Sequence, residues 1–189
     1  MAGDMLEIRG KLVNLWRDFA EAQFLPDQWE TFLEQLPRTS PWRQPPTADA
    51  WVPYEGLWEA LETLARSRPW DTYGTRGIAA APRIFQPGFL PFEVARTPED
   101  LFLRVVDIWD DLYRGGRLEV VTLLPGQARV RLCFPHPRPE LYLIMLSGWF
   151  RESLTLFGAE APEVKVLPDP SGGLLDIAWV EREVQSSPR

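Results

Sequence analysis

The chain has 189 residues, of which 45% are apolar and 12% aromatic, with nine tryptophans. That is the size of one domain with ample material for a packed core, and it excludes global disorder. The formal net charge of −7 repels phosphate and argues against nucleic acid as a partner.

Chain order then gives the elements. Residues 5–22 read as a helix, because Leu6, Leu12, Val13, Leu15, Trp16 and Phe19 recur at helical spacing. The N-terminal stretch has acids at Asp4 and Glu7 and no apolar core of a signal peptide. A second helix covers 26–36, with Pro26 in its first turn, and stops at Pro37. Residues 37–53 carry Pro37, Pro41, Pro45, Pro46 and Pro53. That density forbids regular helix and central strand alike. An internal loop is expected there, its ends pinned by Trp42 and Trp51. Residues 54–67 are helical again, and 69–92, broken by Pro82, Pro87 and Pro91 and loosened by Gly74, Gly77 and Gly88, should form a short helix and a loop.

The clearest helix is 97–114. Thr97 suits the N-cap, Pro98 the first position, and Glu99 and Asp100 the positive end of the dipole. Leu101, Val105, Ile108, Trp109 and Leu112 make its apolar face, and Arg114 with Gly115-Gly116 should stop it. A hairpin follows, with strands 118–124 and 128–134 around Pro125-Gly126-Gln127. In its second strand Ala128, Val130, Leu132 and Phe134 alternate with Arg129, Arg131 and Cys133, so one face is buried and one is open. Pro135-His136-Pro137 breaks the chain. The next helix, 139–157, is apolar nearly all round in its first half, which predicts cover on more than one side. Strands 163–168 and 174–181 close the fold around the turn 168–173, and 184–189 form a frayed tail. The expectation is one α+β domain, 1–183: a helical N-terminal half, then an antiparallel sheet from two hairpins with a long helix between them.

Several words in this order resemble a known family. They are Glu7 to Val13 (EIRGKLV), Trp51-Val52-Pro53-Tyr54, Trp109 to Val120 (WDDLYRGGRLEV), Gly148 to Leu154 (GWFRESL) and Ala178-Trp179. The chain resembles a myxobacterial paralogous family, itself a domain of unknown function. That family is related to the 4-vinyl-reductase and haem–nitric-oxide-binding-like superfamily, which also includes trafficking-complex subunits. The resemblance implies helices packed on an antiparallel sheet. Relatives use that fold to bind haem, to sense small apolar molecules or as a dimeric scaffold. Vinyl-reductase-type relatives carry metal-suited cysteines around the last hairpin, where this chain has Pro168 to Gly173 and no cysteine. Haem-binding relatives need a proximal histidine on a helix followed by a Tyr-x-Ser-x-Arg word. This chain lacks both.

Cys133 is the only cysteine and His136 the only histidine. No disulfide can form within the chain, and two ligands do not make a structural zinc site. A Cys–His dyad would need the two to face each other, but strand alternation puts Cys133 on the arginine face. Asp107, Asp110 and Asp111 cluster on one helix and could pair with a partner's arginines, although a solvated face explains them as well. Arg129 and Arg131 could likewise meet an acidic partner. Tyr142, Met145, Trp149 and Phe150 could line an apolar ligand pocket, and a core stripe has the same spacing. The glycine pairs match no phosphate-binding loop. No metal and no cofactor is expected.

With no catalytic set, the leading expectation is a non-enzymatic regulatory or adaptor protein in the cytoplasm. It would work through protein–protein contacts, either alone or as a homodimer, in signalling or small-GTPase control by analogy with trafficking relatives. The alternative is a sensor of a small hydrophobic molecule, with its pocket between the C-terminal helix and the sheet. No membrane span is expected, because the longest apolar run, Leu141 to Leu146, falls far short of the roughly 20 residues a bilayer needs.

Overall fold

A computed structural model describes residues 6–67, 73–90, 96–133, 139–167, 169 and 172–181. His136, the breaks at 134–138 and the tail 184–189 lie outside them.

The chain enters as a strand, not as the helix expected from residue 5. β1 (Glu7–Arg9) pairs antiparallel with β2 (Trp51–Pro53) and with β3 (Tyr113–Arg114), in the order β2-β1-β3. Ile8 is buried and its neighbours are half-buried, but three alternating residues are too few to be told from a helical stripe. β2 lies in the proline-rich segment. Pro53 is tolerated because β2 is an edge strand.

Helix α1 (Gly10–Glu21) begins where that loop touches it. Gly10 N donates to Ala50 O at 2.8 Å and Lys11 N to Ala48 O at 2.9 Å. The loop carbonyls thus satisfy helix N–H groups that no side chain caps. A Cβ on Gly10 would stand 2.0 Å from Thr47 O, so only glycine fits. Asn14 Nδ2 and Arg17 Nε donate to Pro46 O and Trp42 O further along, holding the loop against α1. Helix α2 (Pro26–Glu34) packs Trp29 and Phe32 against Phe24 and the buried Trp42. Helix α3 (Tyr54–Ser67) follows as expected.

Residues 73–84 form a full helix, α4 (Tyr73–Ile84), where a short helix and loop were expected. Pro82 lies in its last turn, so one hydrogen bond is lost and the helix survives. The glycine that read as loosening is a contact point. A Cβ on Gly77 would stand 1.8 Å from Met145 O and 2.7 Å from Trp149 N. α4 therefore lies backbone to backbone on helix α6 (Pro139–Leu156).

Helix α5 (Pro98–Leu112) has the expected cap, with Thr97 Oγ1 accepting from Asp100 N at 3.2 Å. It ends two residues before the predicted stop. Tyr113 is extended (φ −131°, ψ 147°) because it joins β3. Gly115 and Gly116, at φ 78° and 71°, then turn the chain into β4 (Arg117–Leu124).

β4 pairs with β5 (Gln127–Cys133) in the expected hairpin, and β6 (Ala159–Leu167) pairs with β7 (Gly172–Glu181). The antiparallel order is β4-β5-β7-β6. β6 starts four residues before the predicted boundary. The register shift between Glu160 and Glu163, with Pro162 inside it, hid that extension.

The inner sheet face, including Leu118, Val130, Leu132, Leu175 and Ile177, is buried. α6 crosses it, and a Cβ on Gly173 would strike Leu143 Cδ1 at 2.1 Å. α6 is thus covered by α4 on one side and the sheet on the other, as its all-round apolarity implied. The expected α+β fold, with its helical N-terminal half and a long helix between two hairpins, is the observed one.

The glycine contacts predict unequal costs. Gly77→Ala sets a methyl against main chain and should destabilise the protein by about 1–3 kcal/mol or more. Gly173→Ala meets only the movable end of Leu143 and should cost less. Urea unfolding of both variants checks this order. Equal stabilities would mean that α4 does not rest on the backbone of α6.

Candidate functional site

Two helical stripes face each other across the middle of the fold. Tyr142, Met145, Leu146 and Trp149 descend α6 at the i, i+3, i+4, i+7 spacing, and Val105, Ile108, Trp109 and Leu112 do the same on α5. Leu12 and Trp16 of α1 close one side, and Gly77, Ala80 and Ile84 of α4 another. They leave a cavity of about 50 Å³ whose lining is almost wholly apolar. Every lining residue is buried except the half-buried Tyr113 and Leu146. The cavity touches the four-stranded sheet only at Leu118. The pocket expected between the C-terminal helix and the sheet is therefore displaced: it lies on the opposite side of α6, against helices.

Two phenols line this cavity. Tyr113 and Tyr142 meet edge to face, with centroids 6.3 Å apart, and Tyr54 of α3 stands edge-on to Tyr142 at 6.1 Å. The Tyr142 hydroxyl donates to the Tyr113 oxygen, which holds the Tyr142 proton and eases ionisation of Tyr113. Burial outweighs that easing and pushes Tyr113 up to about 12. It also raises Tyr142 well above its usual range, helped by the neighbouring phenols Tyr113 and Tyr54. Trp149 Nε1–H is buried away from the cavity space and has no hydrogen-bond partner among the described residues.

Of the four pocket candidates, Tyr142, Met145 and Trp149 line the cavity. Phe150 does not. It stacks on Phe102 (5.7 Å, 11°), which stacks on Trp179 of β7, so it joins α6 to α5 and the sheet. Sequence reasoning passed over Gly77 and Tyr113, one read as a loosener and one as a helix residue. Their signal was a helix of small residues, GIAAA, and an aromatic next to a Gly-Gly stop.

Four of the five charged candidates have an ion-pair partner within the chain. Lys11 Nζ donates to Asp111 at 2.5 Å and to Phe89 O at 2.7 Å, so Asp111 is turned inward and ties α5 to α1 and the loop after α4. Asp107 pairs with Arg104 at 3.3 Å on the exposed side of α5, where Asp110 is also exposed. Arg129 grips Asp176 through Nε (2.5 Å) and a terminal nitrogen (3.1 Å), which lowers the Asp176 carboxyl below its usual range. Arg131 stands 3.8 Å from Glu119. Cys133 is half-buried and in no disulfide. No group of three potential metal ligands exists among the described residues.

No family model matches the sequence, and no curated protein matches it. Solved structures do. An unliganded Fe(II) H-NOX protein from K. algicida superposes with a TM-score of 0.68 at 13% identity, over 93% of this chain and 98% of that one. The chain has the H-NOX fold. An oxygen-binding H-NOX domain related to soluble guanylate cyclases, in its oxygen complex, gives 0.61 at 10% identity, over 96% and 100%. A mutant of the T. Tengcongensis H-NOX gives 0.60 at 11%, over 91% and 97%. These identities establish the shared fold and leave the chemistry to the residues.

The H-NOX fold implies a haem, and the residues here do not fit one. Pockets for larger ligands span roughly 300–1,000 Å³, against about 50 Å³ here. No histidine or cysteine lines the cavity. Met145, Tyr113 and Tyr142 are its only side chains of a kind that ligates haem iron, and the two phenols bind each other. Trp16, Trp109 and Trp149 take up space in the same region.

The raised phenols make stability sensitive to alkali. In the unfolded chain tyrosine ionises near about pH 10, whereas folded Tyr113 holds its proton to about 12 and Tyr142 well above its usual range. Their contribution is complete below about pH 10 and is lost as pH rises through the folded values. Urea unfolding should show stability falling steadily between about pH 10 and 12, and Tyr142→Phe should flatten that fall. A pH-independent midpoint over this window would contradict the buried phenol pair.

Proposed function

We propose that this chain is a non-enzymatic regulatory domain that senses a small, neutral, apolar molecule without haem. The observation that carries the reading is the apolar cavity of about 50 Å³ at the meeting of α1, α4, α5 and α6. For scale, a dry cavity of about 150 Å³ takes benzene or xenon, so the fitting ligand is smaller than benzene. The oxygen-binding H-NOX domain among the fold neighbours supports small-molecule sensing as a use of this architecture.

Output to a protein partner belongs to the same proposal, and the helix α5 favours it. Its inner face lines the cavity, while its outer face exposes Leu103 at 67% beside Val106, Asp107 and Asp110. A ligand that shifts α5 would change the surface a partner reads. Arg129 and Arg131, on the open sheet face, are the second surface proposed. Membership of the myxobacterial paralogous family, a cytoplasmic location and a homodimeric state remain inferences from the sequence words and composition. No described helix is long and apolar enough to cross a membrane.

A size series tests the reading. Ligands that bind only the folded state raise its melting temperature by mass action. Ethene and cyclopropane should raise the Tm saturably, and benzene should not. Hemin should give no stoichiometric Soret band after gel filtration. A one-to-one haem complex, or a Tm indifferent to every small hydrocarbon, would overturn the proposal.

A further inference from the structure

We infer that the outer face of the β2-β1-β3 sheet is a docking site for an acidic segment of a partner protein, held by the guanidiniums of Arg9 and Arg114 around Trp51. This surface is distinct from those on α5 and the four-stranded sheet, and its binding does not depend on the cavity being occupied.

Three stretches singled out in the sequence meet here: EIRGKLV contains β1, WVPY contains β2 and WDDLYRGGRLEV contains β3. Side chains alternate between the two faces of a strand, and directly opposed residues share a face. Ile8 is fully buried and Tyr113 lines the cavity, so these two point inward. Glu7 is opposed to Pro53 and Arg114, and Arg9 to Trp51, so these five share the outer face. Cζ of Arg9 stands 4.1 Å from the centroid of the Trp51 ring and Cζ of Arg114 4.2 Å from it. A guanidinium stacked on an indole keeps its edge N–H groups for hydrogen bonding. Arg9 is fixed further, because Nε donates to Asp111 O at 3.1 Å and Nη1 to Asp49 O at 2.9 Å. Those two bonds use two of the five N–H groups that a guanidinium carries.

What these cations lack is counter-charge. Among the described residues, Glu7 is the one carboxylate within ion-pair reach of either. It lies 3.9 Å from Arg114, too far for a hydrogen bond. The nearby Asp111 is taken by Lys11. Arg114 is 58% exposed, and Arg9 and Trp51 are half-buried. Two planar cations against one carboxylate complement further carboxylates. Two guanidiniums call for two acids, which a protein segment supplies and a lone small anion does not. Stacking and carbonyl contacts already hold the side chains, so little freedom is lost on binding, and Trp and Arg are the residues that most often carry interface energy. A phosphate backbone fits worse, because two arginines do not offset its repulsion by a chain of net charge −7.

Hexaglutamate peptide is the probe, titrated at low salt into the full chain carrying ¹³C-labelled arginine and ¹⁵N-labelled tryptophan. The signals are assigned by their loss in Arg9→Gln, Trp51→Phe and Arg114→Gln. The peptide should shift Arg9, Trp51 and Arg114 saturably and leave Arg129 and Arg131 unmoved, and acetate at equal carboxylate concentration should not saturate. Arg114→Gln should weaken the peptide about two- to fivefold, the worth of one exposed ion pair, and binding should fade as salt rises from about 20 to about 500 mM. Shifts centred on Arg129 and Arg131, no shifts at all, or an unchanged affinity in Arg114→Gln would overturn the inference. So would an oligothymidylate of equal charge that binds as tightly, or a dimer in sedimentation that Arg114→Gln dissolves, which would give this face to nucleic acid or to a second copy. The wild-type shifts decide the matter even where a variant misfolds.

Discussion

The backbone contact between α4 and α6 at Gly77 governs the rest of the structure. It brings two helices closer than side chains would allow. α6 is then held between that helix and the sheet, where Leu143 is pressed over Gly173. With α6 fixed on both sides, the positions of Tyr142, Met145 and Trp149 follow from helical spacing alone. The cavity is what remains when large, stiff tryptophans on α1, α5 and α6 meet around small residues on α4. Packed interiors relax only partly around such misfits, so the space persists.

The same packing separates this chain from what its fold implies. The H-NOX fold is shared along nearly the whole length, and the space between α1, α4, α5 and α6 is narrowed by aromatic side chains and a phenol pair. Function belongs to sites placed on folds, and here the cavity lacks the room and the ligands for haem. What it has is a small apolar space. α5 links that space to the surface, because one face lines the cavity and the other exposes Leu103 and Val106.

Much of the fold was legible where the signal was local. Thr97-Pro98-Glu99-Asp100 marked the start of α5, and the alternation of Ala128, Val130 and Leu132 marked the buried face of β5. The all-round apolarity of the first half of α6 correctly implied cover on two sides. The three-stranded sheet was not legible, because its strands are two or three residues long and β1 pairs with strands about a quarter and about half the chain away. Gly77 was misread for a related reason: a glycine that loosens a helix and one that admits a neighbour look the same in sequence. The site was half visible. Tyr142, Met145, Trp149 and Phe150 sit on a helix that is apolar everywhere, so periodicity could not say which side holds the cavity. Only Phe150 turned the other way. The aspartate cluster divided likewise, since nothing local told that Lys11, a hundred residues earlier, would claim Asp111.

Xenon tests the central claim most directly, since it binds dry apolar space and little else. With methyl-labelled protein equilibrated under xenon, the account predicts one saturable set of shifts. It should be confined to methyls of Leu12, Ala80, Ile84, Val105, Ile108 and Met145. Shifts centred instead on Leu175 and Ile177 at the sheet, or no shifts at all, would contradict a sensing cavity on the helix side of α6.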